Sequence, residues 1–494
     1  MVPGPRETRD VVVVGSGPNG LAAAVTMARA GLDVLLLEAE TTVGGGARTL
    51  DLGLAEGLVH DVCSAVHPLA TASPFLSAFD LPARGVELVA PDVSYAHPLD
   101  GERAGLAWRD LERTVVGLGP DGAAWRRTFG PLVRDAEAVV GATLGDMRSI
   151  PPQVRSPQGM RGAVAFGLRT LVEGTPLWAL PFAGEVAPAM LAGVAGHAIA
   201  PLPALAPAGV ALMLGTLAHT TGWRIPVGGS QAIADALVAD LRAHGGEVRT
   251  GVRVRSWREL PRARSYLLDT STAVAAEIWG DRLPPAVARR LTTAPRGGAA
   301  AKVDFVLDGP VPWAVPDVGR AFTVHLGGTR AEVAAAEADV ARGVLPERPV
   351  VLLSDPSVAD PGRARDGRRP LWTYAHVPAG STVDPTEHVI RQIERFAPGF
   401  RDVVVRSRGI PAARMVEHNL NLVDGDISGG AVTMGRVLRG PTGRWDPYGL
   451  GVPGVYLCSS STPPAPGVHG MNGFHAARRA LRQRFGLPVP SLAP

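Results

Sequence analysis

The run Val11-Val12-Val13-Val14 is apolar at every position and ends directly in Gly15-Ser16-Gly17-Pro18-Asn19-Gly20. An Ala-rich segment follows, and a second, mostly apolar run from Leu32 to Leu37 closes on Glu38. This pattern predicts a strand, a tight turn, a helix and a parallel second strand. Gly15 allows the turn, Gly17 lets the backbone approach a pyrophosphate, and Gly20 lets helix pack on strand. The pyrophosphate rests on the free N–H groups and the positive dipole end of the helix. Glu38 stands where a ribose hydroxyl requires an acceptor. The segment as a whole predicts a dinucleotide site.

Farther along, Pro226-Val227-Gly228-Gly229-Ser230 opens a second unit. Ile233, Leu237, Val238 and Leu241 share one helical stripe, Gly245-Gly246 stops that helix, and Glu247 to Val254 alternates as a strand. Tyr266 to Thr270 predicts another strand of the same sheet. Between 296 and 410 the pattern changes to antiparallel-like strands such as Lys302 to Leu307. The polar stretch from Asp355 to Pro370 reads as a surface loop. Val452 to Cys458 predicts a last strand, Ser459 to Gly467 its loop, and Val468 to Leu481 the start of a helix. The tail from Leu487 to Pro494 reads as frayed. Residues 76 to 220 are poor in strand signals.

From Val186 to Trp223 there is no Asp, Glu, Lys or Arg. Length alone would let this stretch cross a bilayer. Pro188, Pro201, Pro203 and Pro207 interrupt it, so it predicts short broken helices lining an apolar cavity, with a face available to a membrane.

At 494 residues the chain is long for one core and predicts at least two domains. The net charge of +3, with no basic stripe carrying interleaved aromatics, argues against nucleic-acid binding. Cys63 and Cys458 lie far apart, which excludes a C-x-x-C dithiol centre and a disulfide framework and fits a cytoplasmic protein. No metal-ligand spacing and no Ser-His-Asp arrangement emerges. The acids and prolines from Met1 to Asp10 do not read as a signal peptide.

Four further features carry candidate chemistry. Gly44-Gly45-Gly46-Ala47-Arg48 follows Glu38, where a backbone without side chains can lie against a flat ring or a diphosphate and Arg48 offers a planar fork. Lys302 is the single lysine among 49 Lys and Arg residues, which a GC-rich genome explains without function. His469, in Gly467-Val468-His469-Gly470-Met471, reads either as a structural hydrogen-bonder or as a proton acceptor. His67 and His197 border the expected cavity.

The blocks Asp10 to Thr49, Pro226 to Val254 and Gly454 to Ala480 together resemble the phytoene desaturase-related oxidoreductases, the phytoene dehydrogenase-like branch of the flavin amine oxidase superfamily. That resemblance implies an α/β fold with a Rossmann-like FAD-binding domain of the glutathione-reductase type, assembled from residues 1–75, 221–295 and 411–494. An α+β substrate-binding domain with a mixed or antiparallel sheet would comprise residues 76–220 and 296–410. It further implies that Gly15, Gly17, Pro18, Asn19 and Gly20 hold the pyrophosphate of FAD and Glu38 the adenosine ribose. Gly45 and Arg48 would lie on the flavin side, and Val254 would present backbone to adenine. Ser460, Val468 and Met471 would meet the ribityl chain and pyrimidine edge, where a helix N-terminus stabilises negative charge on the reduced ring. Relatives carry Gly followed by a small or acidic residue where this chain has Ser459-Ser460.

In the same resemblance Lys302 corresponds to a lysine that positions water or oxygen near the flavin, and His469 falls at the flavin edge; both are candidate catalytic residues. The implied activity is dehydrogenation or desaturation of a hydrophobic, carotenoid- or lipid-like small molecule, with hydride passing to flavin N5. No second G-x-G-x-x-G follows a strand, so oxygen, a quinone or the product is the expected electron acceptor. Two alternatives stay open: a flavin amine or amino-acid oxidase producing hydrogen peroxide, and a non-enzymatic prenyl-lipid escort of the same fold. The expected location is cytoplasmic, with peripheral contact on the inner face of the membrane.

Overall fold

The computed structural model describes residues 7–146, 148–464 and 466–494. The reading of the N-terminus rests largely on residues 1–6, which lie outside that range.

The four valines are buried because both faces of their strand are covered. Val11 and Val13 pack into one core with the helices Pro18–Arg29, Gln231–Ala243 and Met471–Ala480, while Val12 and Val14 pack into another with the helices Thr272–Trp279 and Pro285–Thr292. A strand covered on both sides has no polar face to alternate with, hence the unbroken run. Five strands form a parallel sheet in the order Val455–Leu457, Arg262–Leu268, Thr8–Val14, Val34–Leu37 and Glu247–Arg249. Val14 is in register with Leu37 and Leu268, and Leu268 with Leu457. The loops that follow these residues therefore leave the sheet at one carboxyl edge, where ligands of open α/β sheets bind.

A second, mixed sheet of seven strands runs in the order Val404–Ile410, Ala299–Leu307, Arg369–Val377, Val351–Ser354, Thr323–Leu326, Val93–Leu99 and Arg103–Trp108. Its pairings are antiparallel except between Thr323–Leu326 and Val93–Leu99. The fold is thus α/β, a Rossmann-like parallel sheet beside a separate mixed-sheet domain.

Several elements differ from the sequence reading. The hairpin Val93–Leu99 with Arg103–Trp108 comes from a stretch poor in strand signals, because every residue from Val93 to Leu99 is buried and Pro98 interrupts the pattern. The strand expected over Glu247 to Val254 stops at Arg249. The segment expected as a surface loop after Asp355 turns inward: Arg363 is buried and pairs with buried Asp61 at 3.0 Å. Burial alone would raise the Asp61 carboxyl, but Arg363, Thr49 and the Ser230 N–H outweigh it and hold it below the usual range. The tail is not frayed either, since Arg29 donates to the carbonyls of Ser491 and Ala493, Arg84 to that of Leu492, and the Leu492 side chain is buried.

The uncharged stretch forms two helices, Val186–Ala195 and Leu205–Ala218. Among the described residues no helix is long and apolar enough to cross a membrane.

Candidate functional site

Gly15 adopts φ +98°, and a Cβ on Gly20 would overlap the Gly15 carbonyl oxygen, so both glycines are needed for the turn to close on the first helix turn. Ser16 stitches this loop to its neighbours. Its N–H and Oγ donate to Glu38 Oε2 at 2.8 and 2.5 Å, and its carbonyl accepts from the Gly44 N–H at 3.1 Å. The second glycine loop lies directly on the first: a Cβ on Gly45 would stand 2.8 Å from the Gly17 Cα. Arg48 is buried behind it, donating to the carbonyls of Gly45 and His418 and standing 3.5 Å from Glu40.

These loops open into a cavity of about 610 Å³. Gly15, Gly17, Pro18, Asn19, Glu38, Gly45, Arg48 and Val254 line one end, and Ser460 and Val468 enter from the C-terminal loop. Phe166, Leu205, Val210, Met213 and Leu214 form an apolar wall, and Trp372 and Tyr374 of the mixed sheet another. Of the uncharged stretch, the helix Leu205–Ala218, the turn Gly196–Ala198 and Trp223 line the cavity, whereas the helix Val186–Ala195 does not.

Four of the expected positions have structural partners of their own. Gly20 and Met471 are buried but do not line the cavity. Gly20 acts through its N–H and its missing side chain, and Met471 N–H donates to His469 Nδ1 at 3.0 Å. That bond makes Nδ1 an acceptor and gives His469, which does line the cavity, a structural task at the start of Met471–Ala480. Lys302 lies on the strand Ala299–Leu307, 2% exposed and ion-paired to Asp304, and is not among the cavity-lining residues. Burial alone would raise the Asp304 carboxyl, but Lys302 and His60 outweigh it and hold it low.

Sequence reasoning missed Asp269. It follows the strand Arg262–Leu268, and its Oδ2 accepts from the Gly20 N–H at 2.8 Å. A Cβ on Gly17 would lie 2.5 Å from the same oxygen. Burial, with the Glu38 charge nearby, pushes the Asp269 carboxyl up to about 7, against the opposing N–H bonds of Gly20 and Gly17. Asn421 braces the turn, accepting from the Ser271 N–H at 2.7 Å and donating to the Asp269 carbonyl at 3.1 Å. The one available signal was an acid directly after an apolar strand.

The arrangement fits a dinucleotide cofactor. Two glycine-rich loops meet at the helix N-terminus, Glu38 is a buried carboxylate at the end of the second strand, and the buried Asn19 Oδ1 in the cavity wall has no partner among the described residues.

Comparison with known proteins agrees with this geometry. A family model described as an NAD(P)-binding Rossmann-like domain matches residues 13–79. The chain is 24% identical to the pyridine nucleotide-disulfide oxidoreductase domain-containing protein 2 of Rattus norvegicus, over 96% of this chain and 93% of the relative. Among solved structures, wild-type putrescine oxidase bound to putrescine superposes with a TM-score of 0.59 at 17% identity, covering 96% of this chain and 98% of that one. Cyclohexylamine oxidase from Brevibacterium oxydans superposes with a TM-score of 0.56 at 15% identity, covering 96% and 98%. The fold is that of the flavin amine oxidase-type structures.

Proposed function

We propose that the protein is an FAD-dependent oxidoreductase that takes a hydride from a hydrophobic, carotenoid- or lipid-like small molecule. One observation carries this reading: a single cavity runs from the glycine loops and Glu38 to walls of Phe166, Leu205, Val210, Met213 and Leu214. FAD, when bound, supplies a two-electron hydride acceptor. The N–H groups of the Gly15 to Gly20 loop would hold its diphosphate and Glu38 its ribose. Gly45, Arg48, Val254, Ser460 and Val468 would contribute the remaining contacts. The apolar walls would orient the substrate C–H bond and keep water away from it. Oxygen or a quinone would serve as electron acceptor.

Putrescine oxidase and cyclohexylamine oxidase act on amines by name, which makes amine oxidation the reading to separate. A pair of aromatic rings flanking an ammonium group would need a gap between them. Trp372 and Tyr374 instead stand edge to face at 5.1 Å between centroids, in mutual contact. The complete Glu38 and glycine cradle argues against an escort without a cofactor. Under anaerobic conditions, polyene or long-chain acyl compounds are expected to bleach the flavin-loaded protein. Bleaching by amines alone, with peroxide on admitting air, would replace the proposal with an oxidase.

An exposed stripe supports peripheral membrane contact. On the helix Pro157–Glu173, Met160, Val164, Leu168 and Leu171 are each about half exposed at helical spacing, while Phe166 and Thr170 of the same helix line the cavity. From residue 148 to 184 there are four arginines and one acid, Glu173. Apolar contact plus about 1 kcal/mol per arginine favours an anionic lipid surface. The protein should float with phosphatidylglycerol vesicles at low salt and do so several-fold less as Leu168→Glu; flotation unaffected by that change would remove the helix from the account.

A further inference from the structure

The far wall of the cavity contains a polar group that neither the glycine cradle nor the apolar lining explains. His197 lies in the turn Gly196–Ala198 that ends the helix Val186–Ala195, and it lines the cavity. Its Nε2 is 2.9 Å from Nε2 of His325, on the strand Thr323–Leu326, with the two rings nearly perpendicular at 84°. His325 is fully buried, and its Nδ1 has no partner among the described residues. His197 is only partly covered, and its Nδ1 makes no hydrogen bond to the described residues and is not sealed from the cavity. Trp223, edge-on to both rings, holds them in place.

The bond between the two rings requires one proton, and burial decides which ring donates it. Burial pushes His197 down to about 3 and His325 well below its ordinary value, with His376 adding to the first shift and His197, His97 and His376 to the second, so both imidazoles are neutral. Each then carries one N–H. If His325 held its proton on Nδ1, a buried N–H would be left without an acceptor, the rarer and costlier kind of orphan. With the proton on Nε2, His325 donates to His197 Nε2 and leaves only a lone pair unmatched. His197 must then carry its own proton on Nδ1, facing the cavity. Among the described residues no group of three or more His, Cys, Asp or Glu is arranged to hold a metal, so the histidines near the pair do not form a metal site.

We propose that His197 Nδ1–H is a fixed hydrogen-bond donor in the cavity wall and that it binds the carbonyl oxygen of an otherwise apolar ligand, with His325 as the positioning residue that sets its tautomer. A neutral donor facing an apolar chamber suits a ketone or aldehyde with an oxidisable C–H bond and gives no charge to offset a carboxylate. The substrate class of the proposed oxidoreductase is thereby narrowed to hydrophobic carbonyl compounds, and this inference rests on the reading that the cavity is the substrate chamber.

The test uses the flavin-loaded protein and two probes, β-ionone and the hydrocarbon of the same skeleton without the carbonyl. Binding is followed by tryptophan fluorescence, since Trp223 and Trp372 line the cavity. The wild type should bind the ketone about tenfold more tightly than the hydrocarbon, the worth of one buried hydrogen bond. The infrared carbonyl stretch of the bound ketone should move to lower frequency. His197→Phe should erase the preference and the shift while leaving hydrocarbon binding within about twofold. His325→Leu should weaken the ketone several-fold, and His325→Gln, which keeps an N–H donor for His197, should restore it. Equal losses for both probes in His197→Phe, or an unshifted stretch in the wild type, would overturn the proposal. Ketone binding with the shift, but no bleaching by any substrate, would sink the oxidoreductase reading and leave the carbonyl site standing.

Discussion

Gly473→Ala should yield a protein that is less stable by at least about 3 kcal/mol and retains its flavin at least tenfold less tightly. Gly473 lies in the helix Met471–Ala480 where it crosses the helix Pro18–Arg29. A Cβ at this position would overlap the Asn19 carbonyl oxygen, with the Asn19 carbonyl carbon at 2.7 Å and the Ala23 nitrogen at 3.0 Å. All three are backbone atoms of the cradle helix, so relief requires the two helices to part. Parting them withdraws the C-terminal loop from the Gly15 loop, and stability and cofactor retention fall together. Gly167→Ala is the matched control: it sits in the helix Pro157–Glu173 with nothing within 4 Å of the added carbon, and should be neutral or gain up to about 1 kcal/mol. Denaturant melts and the ratio of flavin to protein absorbance measure both effects. A Gly473→Ala protein as stable and as yellow as the wild type would show that the ends of the chain do not meet as described.

Asp269→Asn should stabilise the protein above neutral pH and change little in acid. In the folded state burial pushes the carboxyl up to about 7, well above the ordinary carboxylate range. Below pH 4 it is protonated in both folded and unfolded chains and contributes no pH dependence. Between about 4 and 7 the unfolded chain releases the proton while the folded one keeps it, so stability falls as pH rises, and the loss is complete above 7. The loss amounts to a few kcal/mol at most. Asparagine carries no charge, can still accept from the Gly20 N–H and has no such dependence. The gap between the two melting curves should open across pH 4 to 7 and then stay constant. A gap independent of pH would mean that the Asp269 carboxyl ionises over the same pH range in the folded protein as in the unfolded chain.

The parts of this molecule written in local pattern were legible. The valine run, the glycine turn, the Ile233 to Leu241 stripe and the strand before Cys458 each follow from residues within a dozen positions of one another. What escaped depends on contacts between distant segments. Asp269 reaches Gly20 from 249 positions away, and nothing near it distinguishes it from any acid ending a strand. Arg363 lies in a stretch that read as a polar surface loop, and its buried partner Asp61 is 302 positions away. The hairpin around Pro98 lost its alternation because both faces are covered, and the tail owes its order to Arg29 and Arg84. Lys302 is the instructive case. Composition singled it out, but a strand places residues i and i+2 on one face, and that period already set Asp304 beside it.

The cradle itself is tested most directly by the nucleotide that the purified protein releases on heating, identified and counted by chromatography. The account predicts FAD, one molecule per chain. A colourless protein that releases no flavin, or one that releases only a nicotinamide dinucleotide, would contradict it.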